Sequence, residues 1–196
     1  DFVISPAQAQ TGDPLLASTP EFDLADPYLV EKANELGKDP QRIFAFVRDQ
    51  IGFESYAGSL RGARGTLWSN AGNALDKASL LVALLRASNI PAQYVQGTLA
   101  DSDAQQLILS MFPSPLRVVG CLDPGTQVAD PANDPQLLSE ARQHYWVRFN
   151  GQDADPNFAG AQIGKIFATA QGAFAEVPDN LRHKVTVRLK RELTLP

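Results

Sequence analysis

Residues 72–98, GNALDKASLLVALLRASNIPAQYVQGT, constrain the fold more than any other stretch of the chain. Ala78, Leu81, Leu84 and Leu85 recur at helical spacing, and Leu80, Val82 and Ala83 make the segment apolar on nearly every side. A helix of that kind is buried at the centre of a domain. Asn73 stands where an N-cap is needed, and Asp76 puts a carboxylate in the first turn, where the helix dipole favours it. Asn89 suits the left-handed position past the helix end, and Pro91 forbids continuation. Beyond it, Ala92, Tyr94 and Gln96 alternate with Gln93, Val95 and Gly97, the pattern of a strand. A buried helix feeding a strand follows.

The remaining segments are read around that unit. Residues 1–26 show no period and many breakers, which predicts an irregular arm strapped to the body by Phe2, Leu15 and Phe22. Asp26-Pro27 and Asp39-Pro40 each signal a helix start. Leu29, Val30, Ala33 and Leu36 give the first helix its apolar face, and Ile43, Phe44, Phe46, Val47 and Ile51 give the second. A short strand is expected at residues 53–56. Gly58, Gly62 and Gly65 then mark a loop running to the central helix. Asp101 or Ser102 caps a helix through Met111. Residues 113–134, with four prolines, form an irregular insertion, and residues 135–141 a short helix. His144 to Phe149 alternate as a strand, Asn150-Gly151 is a hairpin turn, and Asp153 to Asp155 start the return strand. Residues 163–170 are read as helical and 183–195 as a closing strand. The expected organisation is an arm, 1–26, and a single α+β domain, 27–196, with the central helix packed on an antiparallel sheet.

Composition excludes several classes. A net charge of −5 and no basic stripe argue against a nucleic-acid partner. Arg182, His183, Lys184, Arg188, Lys190 and Arg191 form the one local basic excess, read as a solvated face. The single cysteine, Cys121, excludes an internal disulfide, and with only two histidines no metal or other cofactor is expected. No run approaches the roughly 18 to 20 apolar residues of a membrane helix. The chain starts at Asp1 and ends in a strand-like run, which is read as a segment of a longer protein.

Ala78-Ser79-Leu80-Leu81, Leu84-Leu85-Arg86-Ala87 and Ile90-Pro91-Ala92 resemble the transglutaminase-like superfamily of the papain-like group, in which a Cys opens such a helix. The frame places that nucleophile at position 74, which is Ala74. The family's second motif, His-x-Trp-Val followed by a hairpin and Asp-Pro, is matched by His144-Tyr145-Trp146-Val147 and Asp155-Pro156. The resemblance implies that in active members a Cys attacks an acyl group, the His carries the proton and the Asp orients the imidazole. It therefore implies a vestigial triad of Ala74, His144 and Asp155, with Trp68, Asn73, Tyr145 and Trp146 as candidate cleft residues. Trp68 is read either as a cleft aromatic or as packing against the central helix. Asp76, about 200° round the helix from Ala74, is read as a helix-start carboxylate.

Residues 16–110 are similar to a narrower bacterial subgroup. Its members lack the Cys and stand near the N-termini of very large proteins, many with Rhs/YD repeats. Gly72-Asn73-Ala74-Leu75-Asp76-Lys77-Ala78 fits its pattern, with Lys77 where Gln is usual. The resemblance implies a non-catalytic module that binds a peptide or protein within a larger exported bacterial protein, extracellular, at the cell surface or periplasmic. Two alternatives stand beside it. One is an active cysteine-type acyltransferase or hydrolase, with Cys121 as nucleophile or with position 74 substituted from an active parent. The other is a structural spacer.

Overall fold

Asp-Pro pairs open three of the helices. The computed structural model describes residues 12–112, 130–186 and 188. In it Asp26, Asp39 and Asp134 each accept a backbone N–H of the first turn, with proline at the first helical position, and so start α1 (Pro27–Glu35), α2 (Pro40–Gln50) and α6 (Pro135–Arg142). Between them lie β1 (Gly52–Phe53), α3 (Gly62–Ser69), β2 (Ala71–Gly72), α4 (Ala74–Ala87), β3 (Ala92–Thr98) and α5 (Asp101–Ser110). After α6 come β4 (Gln143–Phe149), β5 (Gln152–Ala154) and β6 (Ala170–Phe174).

The central helix is as expected: every residue of α4 from Ala74 to Arg86 is buried. It packs against α1, α2 and α3 and against β3 and β4. The sheet is antiparallel in the order β5-β4-β3-β6, with Gly97 opposite His144 and Tyr94 opposite Val147. Asn150 and Gly151 both take positive φ and make the β4–β5 hairpin turn. The α+β class and the helix-on-sheet arrangement are those of the resemblance.

Three elements depart from the sequence reading. The stretch after Gly58 is not loop throughout but contains α3. Gly62 enters it at φ +60°, and a Cβ there would lie 2.6 Å from the carbonyl oxygen of Glu21. At Gly65, inside the helix, a Cβ would lie 3.0 Å from the Cβ of Arg61. Residues 163–170 are not helical; the small residues Ala170 to Phe174 instead form edge strand β6 against β3, with a register shift at Gln96/Gly97. At Gly97 a Cβ would meet the carbonyl oxygen of Thr169 at 2.5 Å and the Trp146 ring at 3.1 Å. Residues 183–186 belong to no strand; the rest of the expected closing strand lies largely outside the described residues, as do Phe2 and Cys121.

Of the expected straps Phe22 is buried in the core, and the arm is also held by charged side chains the sequence reading did not name as straps. The Arg86 guanidinium, buried in α4, donates to the carbonyls of Ala92, Ala175 and Ala17, pinning the arm and the ends of β3 and β6 together. Phe22 is buried beneath that guanidinium. Arg182 is likewise no free surface charge. It pairs with Glu21 at 2.6 Å and Glu176 at 2.8 Å, and with Asp179.

Candidate functional site

The N-terminus of α4 is held in place by two of its own side chains. Asn73 caps the helix by accepting the N–H of Asp76 at 2.9 Å, and its amide donates to the carbonyls of Tyr56 at 2.8 Å and Gly58 at 2.7 Å. Asp76 is fully buried and does far more than balance the helix dipole. It accepts from the Tyr56 hydroxyl at 2.7 Å, the Ser59 hydroxyl at 3.0 Å, and the N–H groups of Leu60, Arg61 and Gly62 at 2.9–3.1 Å. Burial and the neighbouring Asp76 charge push the Tyr56 phenol well above its ordinary pKa. Asp76 stands in the first turn of α4 as the sequence reading has it, and it is also the anchor around which residues 56–62 fold. Nothing in the sequence flags this, because three of its five donors are backbone N–H groups.

Ala74 is the first residue of α4, where the family's attacking thiol would stand. It lines a cavity of about 10 Å³ together with Ser55, Tyr56, Asn73, Gln143 and Tyr145. That is room for about one water molecule. Ser55 donates to Glu140 at 2.9 Å across the same cavity wall. Asn73 and Tyr145 are thus brought to Ala74 as expected.

His144 and Asp155, from β4 and the segment after β5, are both fully buried, and His144 Nε2 lies 2.6 Å from Asp155 Oδ2. The other carboxylate oxygen accepts the backbone N–H of Asn157 at 3.1 Å and its side-chain amide at 2.8 Å. In the tautomer that carries its proton on Nε2, the ring donates to the Asp155 carboxylate and Nδ1 is an acceptor. Nδ1 has no hydrogen-bond partner among the described residues. The ring is flanked by Trp146 and Phe158. A buried imidazole held by a carboxylate in this way has the geometry that an orienting pair would need.

Lys77, one turn after Ala74, is buried within the electrostatic reach of Asp155. Its buried ammonium donates to the carbonyl of Ile51 at 2.7 Å. Burial lowers its pKa to about 8 against the opposing pull of Asp155 and Asp49. Asn157 and Lys77 were not singled out as site residues from sequence. Asp-Pro-Asn signals a turn in which an Asp side chain bonds the N–H two residues on, which is what Asp155 does. Lys77 lies in an otherwise apolar run, where periodicity analysis passes over it.

Two candidate cleft residues are placed elsewhere. The Trp146 ring is buried against Gly97 and its Nε1 donates to Asp153 at 2.9 Å, so it is a core residue tying the hairpin. Trp68 is 58% exposed on α3, edge-on to Tyr28 at 5.1 Å, and lines a different depression. It meets neither the cleft nor the core expectation. Among the described residues no group of three or more His, Cys, Asp and Glu side chains could hold a metal ion, and no helix is long and apolar enough to cross a membrane.

The sequence profile of the transglutaminase-like superfamily matches residues 23–155, more than half of the chain, from just before α1 to Asp155. No curated protein matches. Among solved structures the chain is similar to a protein from Cytophaga hutchinsonii described as a "Putative Cysteine Protease", at 16% identity and a TM-score of 0.48. The match covers 83% of this chain and 46% of that one, so this chain spans less than half of its length. The chain belongs to the transglutaminase-like superfamily.

Proposed function

We propose that this domain is a non-catalytic transglutaminase-like module that binds an extended segment of a protein partner across the mouth of its cleft. A methyl group at position 74 has no lone pair with which to attack a carbonyl, and the cavity beside it takes one water rather than an acyl group. The observation that carries the binding half is the position of Gln143. It lines the small cavity and also two larger surface depressions. One, of about 490 Å³, is bordered by Thr98, Pro135, Leu138 and Arg142. The other, of about 400 Å³, is bordered by Ala57, Gly58, Asn180 and His183. Gly58 and Gln143 also border the small cavity, so Gln143 is common to all three, and we read them together as one groove with a narrow waist beside Ala74. A groove of that form suits an extended chain.

The Cys-less Rhs/YD-type subgroup supports a place for this module inside a larger exported bacterial protein. In that setting the groove would dock a segment of that protein or of a neighbour.

Selection of random dodecapeptides on the purified domain, followed by calorimetry, tests the reading. The expected result is micromolar binding that weakens at least about tenfold in Gln143→Trp, which fills the waist. Absence of any such binder would leave a folded spacer. Amine incorporation into a glutamine peptide, or ester hydrolysis, is expected at the buffer rate. Turnover that disappears in Cys121→Ser would overturn the non-catalytic reading and make Cys121 the nucleophile.

A further inference from the structure

Trp68 and Tyr28 are large aromatic residues left in solvent, 58% and 45% exposed, on the faces of two adjoining helices, α3 and α1. They stand edge to face with ring centroids 5.1 Å apart. Together with Phe46 of α2, Glu31, Lys32 and Asn70 they border a depression of about 330 Å³. It shares no lining residue with the groove over Ala74. The aromatic side chains stand on helices and are stiff, so an incoming group need not order them. Trp, Tyr and Arg are also the residue types that dominate binding energy at protein interfaces.

The charges around the depression decide what fits it. The Arg64 guanidinium lies 4.2 Å from the Trp68 ring and 4.8 Å from the Tyr28 ring, and is paired with Asp26 at 3.4 Å. Lys32 lies over Phe46 at 5.0 Å and is paired with Glu35. These rings therefore already attract cations of their own chain, and those cations are neutralised locally. Glu31 is left over, with no ion pair among the described residues. The lining carries one uncompensated negative charge beside electron-rich ring faces.

We propose that this depression is a docking site for a lysine or arginine side chain of a protein partner. A cation there meets the Glu31 carboxylate beside an aromatic pair whose remaining exposed surface is free to pack on its stem. Arg64 and Lys32 already engage the rings from their own sides. An apolar side chain would bury Glu31 without a partner, and a carboxylate would be repelled by it. The site is independent of the groove: it needs neither Ala74 nor Gln143.

Capped pentapeptides of glycine with a central lysine, arginine, leucine or glutamate are the probes, followed by amide chemical shifts of the whole chain and by tryptophan emission. Trp146 is fully buried, so a change in emission reports on Trp68. The lysine and arginine peptides should give saturable shifts centred on α1 and α3 that weaken with added salt. Glu31→Gln, an exposed and isosteric change, should weaken them about fivefold, and Trp68→Ala should abolish them. An equal response to the leucine or glutamate peptide, a response unchanged in Glu31→Gln, or no response to any peptide would overturn the proposal. Loss of groove binding in Gln143→Trp should leave these shifts intact.

Discussion

Asp76 and Asp155 are equally buried carboxylates, and they leave their surroundings free to do opposite things. Asp76 is enclosed by five neutral donors, all from the one short segment 56–62. Both of its oxygens are spent on holding a loop against a helix. Asp155 takes Asn157 on one oxygen and His144 on the other, with the Lys77 charge nearby. It passes its polarity to an imidazole whose second nitrogen has no hydrogen-bond partner among the described residues. The first carboxylate ends a chain of interactions; the second continues one. A buried acid at the start of a helix and one beside a histidine thus look alike in sequence and differ entirely in use. In the proposed reading, Ala74 takes a reaction partner only from the second.

The sharpest way to break that contrast is to remove the first acid. Asp76→Ala strands three backbone N–H groups and two hydroxyls in the interior. It should destabilise the domain by about 4 kcal/mol, the upper end for a point change. Urea unfolding followed by circular dichroism measures it. A loss below about 1 kcal/mol would mean that water replaces the carboxylate and that Asp76 is no anchor.

What the sequence could tell divides along the same line. Asp26-Pro27, Asp39-Pro40, the apolar run of α4 and the Asn150-Gly151 turn announce themselves, because capping, burial and positive φ each select particular residue types. His144 and Asp155 were legible through the motif around them, and the hairpin brings them to hydrogen-bonding distance. The segment 56–62 was not, since backbone N–H groups that wrap a carboxylate leave no residue signature. α3 was hidden because two of its eight residues are glycines, one at a left-handed entry and one packed close against Arg61. β6, with sequence AQGAF, has too little apolar alternation to read as a strand; pairing with β3 makes it one. Trp146 was misplaced because a motif match says which residue stands beside His144, not which residues its ring meets.

Lys77 sharpens the other half of the comparison through pH. Its pKa is about 8 when folded against an ordinary value of 10.5. Between those values the unfolded chain binds the extra proton, so stability rises with pH. Below about pH 8 both states are protonated and the full penalty of burying the ammonium is present. The rise should be visible from about pH 8 to 10, above which the elevated phenols of Tyr56 and Tyr94 act in the opposite sense. It should amount to about 2 kcal/mol. In Lys77→Met the slope should vanish and stability at pH 7 should be higher than in the parent. A flat profile in the parent would mean that the ammonium is solvated and only loosely coupled to Asp155.

The smallest effect is the most telling about chemistry. Ala74→Cys returns a thiol to the first turn of α4, where the helix dipole favours thiolate. If His144 and Asp155 still form the orienting half of the array, the imidazole Nδ1 accepts the thiol proton and the ion pair that results is held by the carboxylate behind it. The thiol pKa should then fall at least about 1 unit below the free value of roughly 8.5, read as the pH midpoint of iodoacetamide alkylation. His144→Gln in the same background keeps most of the side-chain volume but offers no basic nitrogen, and should return the midpoint toward the free value. A midpoint near 8.5 in both variants would show that Nδ1 does not reach position 74, and that Asp155 is as purely structural as Asp76. Amide turnover is a stricter demand. The Ala74→Cys protein should still lack it, because a cavity of about 10 Å³ leaves the acyl group nowhere to sit. A lowered thiol pKa without turnover would separate the two obstacles that the non-catalytic proposal names: the absent nucleophile and the closed cleft.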